Sequence, residues 1–98
     1  MIDVTGDIEK ALSIDNAVVY FTASWCQPCR QLKPIYAKAG MQDENYQYFV
    51  IDVDTIDSKY TEAYNVKSIP TLFKMNKGVV EKTITARTAD EIIEQVNS

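Results

Sequence analysis

One apolar run limits the folds available to this 98-residue chain. Residues 17–23 read AVVYFTA, with apolar side chains at both odd and even positions and with β-branched or aromatic residues in the majority. Successive side chains of a strand point to opposite faces of a sheet, so a strand with this pattern is covered on both sides. The run therefore predicts a central strand with helices packed against both faces of its sheet.

A second run, residues 48–53 (YFVIDV), has the same character and predicts a neighbouring strand. The segment between the two runs is long enough for a crossover helix, which makes a parallel pair the expected arrangement. The helix is predicted from Pro28 to about Ala39, with apolar side chains at helical spacing. Pro34 lies inside this pattern, where a proline removes one backbone hydrogen bond and should kink the helix.

The remaining predicted elements are shorter. They are an edge strand at 2–4, a helix around 8–12, a helix at 56–64, hairpin strands at 71–75 and 79–84, and a last helix after residue 88. Thr88 and Glu91 have the spacing of a capping box at the start of that last helix. The element order is βαβαβαββα, which predicts a single α/β domain over residues 1–98, with a central mixed sheet flanked by helices on both faces.

Charge and hydropathy exclude several classes of partner. The net charge is -4 and there is no cluster of Lys or Arg, so we expect no direct binding to nucleic acid. The N-terminal residues lack the basic segment and apolar run of a secretory signal, and no stretch approaches the ~18 apolar residues of a membrane span. We therefore expect a cytoplasmic protein without a membrane partner, provided that no signal has been removed.

The two cysteines, Cys26 and Cys29, lie in the stretch SWCQPCR, and the chain has no histidine. A zinc site normally needs four ligands, so half of them would have to be carboxylates or come from another subunit. An iron–sulfur cluster meets the same shortage. A permanent disulfide would close too short a loop to stabilise the fold much. These interpretations stay open, but the position of the pair favours a redox reagent.

Cys26 follows the predicted central strand, and Pro28 occupies the first turn of the helix. The helix dipole and the unpaired N–H groups at that end favour a thiolate, so we expect the pKa of the Cys26 thiol to be lowered. The first and fourth residues of a helical turn face the same side, which lets Cys29 attack a mixed disulfide formed at Cys26. Papain-like catalysis is impossible without a histidine, whereas dithiol–disulfide exchange needs none.

These motifs resemble the thioredoxin family over nearly the whole chain. The family's active-site strand, redox motif and kink proline match residues 21–34 (FTASWCQPCRQLKP), and its strand, helix and cis-proline loop match 51–54 and 64–72. Residues 73–78 resemble the hairpin that follows. The resemblance implies a thioredoxin fold and a protein-disulfide oxidoreductase in which Cys26 attacks a substrate disulfide and Cys29 displaces the reduced product.

The resemblance also implies a cis Ile69–Pro70 peptide beside the redox pair, with the Ile69 backbone free to pair with an extended substrate. It implies a substrate-binding surface around Cys26, formed by Trp25, Gln27, Pro28, Ile69, Pro70 and Ala86. It implies no metal and no organic cofactor, with electrons coming from NADPH only through a thioredoxin reductase-like enzyme. The other partners that the resemblance implies are disulfide-containing protein substrates. It also implies that the protein itself acts as a monomeric electron carrier.

The chain departs from the family's pattern at three places. Gln27 stands where most thioredoxins have glycine, and this position tunes the balance between dithiol and disulfide. Tyr20 replaces the family's buried aspartate, and Val50 replaces the charged partner of that aspartate. The loss of both charges together is physically coherent, because a buried charge without a partner is costly. Water or the Tyr20 hydroxyl would then take the Cys29 proton, with slower resolution at neutral pH. Ala86 replaces a glycine beside the substrate.

Two other classes of function remain open at this stage. One is a glutaredoxin-like, oxidising or isomerase protein, which the unusual Gln27-Pro28 dipeptide favours mildly, although Trp25 before Cys26 is more typical of thioredoxin. The other is a thioredoxin-fold binding subunit of a larger enzyme, in which the cysteines are dispensable.

Overall fold

The computed structural model describes residues 1–98 and contains one mixed five-stranded sheet in the order β1-β3-β2-β4-β5. Both β1 and β2 run parallel to β3, whereas β4 is antiparallel to β2 and to β5. The strands are Ile2–Asp3 (β1), Ala17–Thr22 (β2), Gln47–Asp52 (β3), Thr71–Asn76 (β4) and Val79–Ile84 (β5). The predicted central strand is therefore central, with β3 as its parallel neighbour.

Four helices complete the predicted order of elements, which is confirmed. They are Ile8–Leu12 (α1), Gln27–Gln42 (α2), Ser58–Ala63 (α3) and Ala89–Asn97 (α4). The crossover helix α2 continues three residues beyond its predicted end. The third helix is shorter than predicted, because the Asp57 side chain accepts a hydrogen bond from the Lys59 backbone N–H (2.9 Å) and so caps the helix at Ser58.

Helices cover both faces of β2, as its sequence predicted. Val18 and Tyr20 pack into a cluster with α2 and α4, while Ala17, Val19 and Phe21 pack into a second cluster with α1 on the other face. All five side chains are at most 1% exposed. A shift of one residue in the register of β2 would exchange its two faces, so this double burial holds the strand in place.

Three buried tyrosines join α2 to the sheet. The Tyr36 ring lies between Tyr20 and Tyr48, with ring centroids 4.9 Å and 5.3 Å apart. The Tyr36 hydroxyl donates a hydrogen bond to the Phe49 carbonyl oxygen (2.7 Å) and lies 3.0 Å from the Val18 carbonyl oxygen. One hydroxyl on α2 therefore contacts both β2 and β3.

At the far end of α2, the buried Asp43 carboxylate joins three elements. It accepts hydrogen bonds from the Tyr48 hydroxyl (2.7 Å) and from the Asn97 side-chain amide of α4 (2.9 Å). Its other oxygen accepts the Asn45 backbone N–H (3.0 Å). Burial and the neighbouring Asp43 carboxylate raise the pKa of the Tyr48 hydroxyl, which therefore keeps the proton that it donates.

We expect Tyr36→Phe to lower the free energy of unfolding by about 1–2 kcal/mol, because it removes a buried hydroxyl bonded to the sheet while leaving the ring in place. Urea unfolding followed by circular dichroism measures this difference. Tyr46→Phe is the matched control, since the Tyr46 ring is only partly buried, and it should change stability by less than about 0.5 kcal/mol. An equal loss in both variants would contradict the role given to the Tyr36 hydroxyl.

The same comparison at high pH tests the buried state of this hydroxyl. Burial raises the pKa of Tyr36 well above its usual value of about 10, whereas the unfolded chain releases this proton near pH 10. The unfolded state then binds fewer protons, so the wild-type protein loses about 1.4 kcal/mol of stability per pH unit above pH 10 from this group. The Tyr36→Phe variant lacks this loss. The difference in free energy of unfolding between the wild-type protein and the variant should therefore become smaller as the pH rises above 10.

Candidate functional site

The two cysteines form a disulfide at the start of α2. Cys26 occupies the N-cap position, Pro28 lies in the first turn, and the backbone N–H of Cys29 points at the Cys26 sulfur (3.3 Å). Cys26 is 4% exposed and Cys29 1% exposed. The strand–turn–helix context predicted for the pair is therefore present, and Cys26 is the more accessible of two largely buried residues.

A cis peptide bond joins Ile69 and Pro70, as the resemblance implied. The Ile69 carbonyl oxygen lies 3.8 Å from the Cys26 sulfur. Strand β4 begins only at Thr71, whose partner on β2 is Phe21, so the backbone of Ile69 lies outside the hydrogen-bonded ladder of the sheet. Polar backbone groups next to the disulfide are consequently available to another chain.

Two open grooves lie on either side of this point. The Trp25 groove, of about 380 Å³, is lined by Trp25, Val53, Thr61, Val66, Lys67, Ser68 and Ile69. The Arg87 groove, of about 530 Å³, is lined by Pro28, Gln31, Leu32, Ile35, Pro70, Ala86 and Arg87. Five of the six residues expected to bind substrate line these grooves, whereas Gln27 is exposed at the start of α2 and lines neither.

Trp25 is the most exposed aromatic residue beside the disulfide, at 65%. Its indole N–H donates a hydrogen bond to the Asp54 carboxylate (2.8 Å), and the Asp54 backbone N–H bonds to the side chain of Asp52 (2.9 Å). The ring is therefore held at the surface by a residue that follows β3. No local sequence pattern pairs Asp54 with Trp25, because the two residues lie 29 positions apart.

Tyr20 and Val50, which replace the family's buried charged pair, face each other across β2 and β3. Tyr20 is fully buried, and its hydroxyl donates a hydrogen bond to the Cys29 carbonyl oxygen (2.7 Å). Burial raises the pKa of the Tyr20 hydroxyl, so at neutral pH it keeps its proton and directs it at the backbone. The hydroxyl is thus a poor acceptor for the Cys29 proton, and water remains the better candidate.

A polar recess of about 410 Å³ is lined by Cys29 and also by Asp3, Lys33 and Asp52. Arg30 borders the same recess, but its guanidinium donates hydrogen bonds to the Ser24 carbonyl oxygen (2.8 and 3.0 Å). The recess shares no lining residue with the two grooves.

No group of three or more Cys, Asp or Glu side chains lies close enough together to hold a metal ion. No helix combines the length and the apolar character needed to cross a membrane.

The family model described as Thioredoxin matches residues 5–98. The chain belongs to the thioredoxin family. Thioredoxin H5 of Arabidopsis thaliana is 35% identical over 79 residues, which cover 81% of this chain and 66% of that protein. Thioredoxin H3 of the same plant is 33% identical over 76 residues, covering 78% and 64%. The matched region spans slightly less than two thirds of these relatives.

Solved structures show the same thioredoxin fold. The oxidised thioredoxin of Plasmodium falciparum superposes with a TM-score of 0.82 at 24% identity, covering 99% of this chain and 95% of that one. Thioredoxin from Trypanosoma brucei brucei gives a TM-score of 0.83 at 20% identity, covering 99% and 88%. The fold class expected from the sequence is confirmed.

We expect Tyr20→Phe to lower the free energy of unfolding by about 1 kcal/mol, because the Cys29 carbonyl loses a buried hydrogen bond. The rate at which Cys29 resolves a mixed disulfide, and the dependence of that rate on pH, should stay unchanged, because the hydroxyl accepts no proton. Rapid-quench measurement of mixed-disulfide decay between pH 6 and 9 makes the comparison. If the mixed disulfide decayed more slowly in Tyr20→Phe and the pH profile of the rate shifted, the Tyr20 hydroxyl would take part in the deprotonation of Cys29.

Proposed function

We propose that this protein is a thiol–disulfide oxidoreductase that reduces disulfides in protein substrates, with residues 1–98 acting as one thioredoxin domain. The observation that carries the proposal is the Cys26–Cys29 disulfide at the N-terminus of α2, with the Cys29 backbone N–H directed at the Cys26 sulfur (3.3 Å). Membership of the thioredoxin family supports the same activity.

In the proposed reaction, the Cys26 thiolate attacks one sulfur of a substrate disulfide. A sulfur–sulfur bond forms between Cys26 and the substrate while the substrate disulfide breaks, and one substrate thiol leaves. Cys29 then loses its proton and attacks the Cys26 sulfur, which releases the second substrate thiol and closes the Cys26–Cys29 disulfide. Two electrons have passed from the protein to the substrate.

The roles of the two cysteines follow from their surroundings. Cys26 lies at a helix N-terminus, where the dipole and the donated N–H stabilise a thiolate, so we propose a lowered pKa for its thiol. It also lies beside the Ile69 carbonyl, where an extended substrate segment would pair with free backbone groups. Cys29 is the more buried sulfur and is bordered by the polar recess, which suits a resolving residue.

Substrate binding is proposed for the exposed residues around Cys26. Trp25 and Ile69 would contact one side of a substrate segment, and Pro28, Pro70 and Ala86 the other. Gln27, exposed between the cysteines, would influence the redox balance more than the docking.

The proposed cycle needs no resident metal or organic cofactor, because the disulfide itself carries the electrons. The partner that restores the dithiol is proposed to be a thioredoxin reductase-like enzyme that takes electrons from NADPH. The proposed setting is the cytoplasm, where the surrounding pools keep thiols reduced, and the proposed electron carrier acts as a monomer in cell redox homeostasis.

Single serine substitutions test the assignment of roles. We expect Cys26→Ser to abolish reduction of a disulfide-linked peptide, because no nucleophile remains at the helix N-terminus. We expect Cys29→Ser to accumulate a covalent Cys26–peptide adduct that mass spectrometry detects and dithiothreitol releases. An adduct on Cys29 in the Cys26→Ser variant, or full activity in the double variant, would contradict the proposal, and the latter result would favour a binding subunit.

The reduction potential tests the direction of exchange. Equilibration in thiol–disulfide buffers, followed by trapping of free thiols, should give a value near about -270 mV, the range of a thioredoxin-type reductant. A value above about -200 mV would instead indicate a glutaredoxin-like or oxidising protein, and would remove the support for a cytoplasmic setting. The Gln27→Gly variant, with the dipeptide most thioredoxins have, shows how much this side chain contributes.

A further inference from the structure

The charged residues that line the two grooves differ in sign from the net charge of the whole chain. The protein has 14 acidic and 10 basic residues. Nevertheless, neither groove is lined by a carboxylate, and each is lined by one cation, Lys67 in the Trp25 groove and Arg87 in the Arg87 groove. The remaining lining residues are apolar or uncharged. The two surfaces that would receive a substrate are therefore cationic in an otherwise acidic molecule.

The two grooves meet at the reacting sulfur. Ile69 lines one groove and Pro70 the other, and the Ile69 carbonyl oxygen lies 3.8 Å from the Cys26 sulfur. We expect an extended segment that places its own sulfur at Cys26 and pairs with the Ile69 backbone to continue into one groove on each side. Three residues of a strand span about 10 Å, and Lys67 and Arg87 line these grooves, so we expect residues on the two sides of the substrate cysteine to approach one cation each.

Both cations are free to bind a substrate. They are exposed, and the one ion pair in the structure joins Lys77 and Asp15 elsewhere (4.0 Å). Arg87 also lines a recess beside the Arg87 groove together with Glu91, but no ion pair joins the two side chains.

Three other charged groups near the redox pair, Glu91, Asp54 and Arg30, have partners within the chain. The Glu91 carboxylate accepts the Thr88 hydroxyl (3.0 Å) at the start of α4. Asp54, near the Trp25 groove, accepts the indole N–H of Trp25. Arg30 is bound to the Ser24 carbonyl oxygen and lines neither groove. Lys67 and Arg87 are thus the cations available to a substrate in the grooves.

We propose that the protein selects disulfides whose reacting cysteine is flanked on both sides by Asp or Glu in an extended segment, with Lys67 and Arg87 as the selecting residues. This inference rests on the proposed function, whose site it uses. The net charge of -4 repels acidic partners at long range, so the preference arises from contacts inside the grooves. Exposed charge pairs are individually weak, and we expect about a threefold rate effect from each cation.

The test uses three disulfide-linked peptide dimers that differ only in the residues flanking cysteine: Glu on both sides, Gln on both sides, or Lys on both sides. The reduced protein is mixed with each peptide, the reaction is quenched with acid, and the rate is measured by chromatography. Each rate is divided by that of dithiothreitol with the same peptide, which removes the effect of flanking charge on the intrinsic reactivity of the disulfide. The expected order is Glu, then Gln, then Lys, with about tenfold between the Glu and Gln peptides at low salt.

Arg87→Gln and Lys67→Gln should each reduce the preference for the Glu peptide over the Gln peptide about threefold. Lys38→Gln is the matched control, because it removes the same charge from an exposed position on α2 that lines neither groove. It should leave the preference intact.

Equal normalised rates for the three peptides, or an equal loss of preference in Lys38→Gln, would overturn the inference while leaving the proposed activity in place. If no peptide were reduced, the proposed function itself would fail, and the inference with it.

Discussion

The burial of β2 on both faces is the constraint on which the rest of the structure depends. Its five most buried side chains alternate between two apolar clusters, so neither the register nor the direction of the strand can change without exposing one of them. Strand β2 ends at Thr22, so the chain turns just beyond the carboxyl end of this strand and begins α2 there. The disulfide therefore lies at the carboxyl end of the central strand and at the amino end of a helix, where backbone N–H groups are unpaired.

The loss of the family's buried charged pair is accommodated by aromatic packing. Tyr20 fills the space next to α2 and packs edge to face against Tyr36, whose ring also contacts Tyr48. The Tyr48 hydroxyl in turn donates to the buried Asp43. Since each of these hydroxyls donates to an acceptor inside the protein, the cluster needs no ionised group beside the redox pair. In the proposed exchange the Cys29 proton passes to water, and the polar recess that Cys29 lines is the proposed exit.

The surface around Cys26 combines features that a substrate disulfide would need together. Backbone groups of Ile69 are free of the sheet, Trp25 is held at the surface by Asp54, and two grooves extend from the same point. Each groove is lined by one cation, because Lys67 and Arg87 lie on loops whose neighbours form the groove walls. Loop residues can change without disturbing the core, so such positions suit the adjustment of partner choice.

Local sequence determined the order of the elements, the central position of β2 and the location of Cys26 at the start of a helix. Those features depend on side-chain periodicity and on residues close in sequence, and the thioredoxin resemblance added the cis Ile69–Pro70 peptide. Element ends were less accurate, as for α3, because a single capping hydrogen bond decides them. Only the tertiary structure brought the Tyr20 hydroxyl to the Cys29 carbonyl, and Trp25 to Asp54, 29 residues away. The grooves likewise bring together residues from loops that are distant in sequence. The packing of the helices on the sheet decides which of these side chains meet, and no local sequence pattern predicts it.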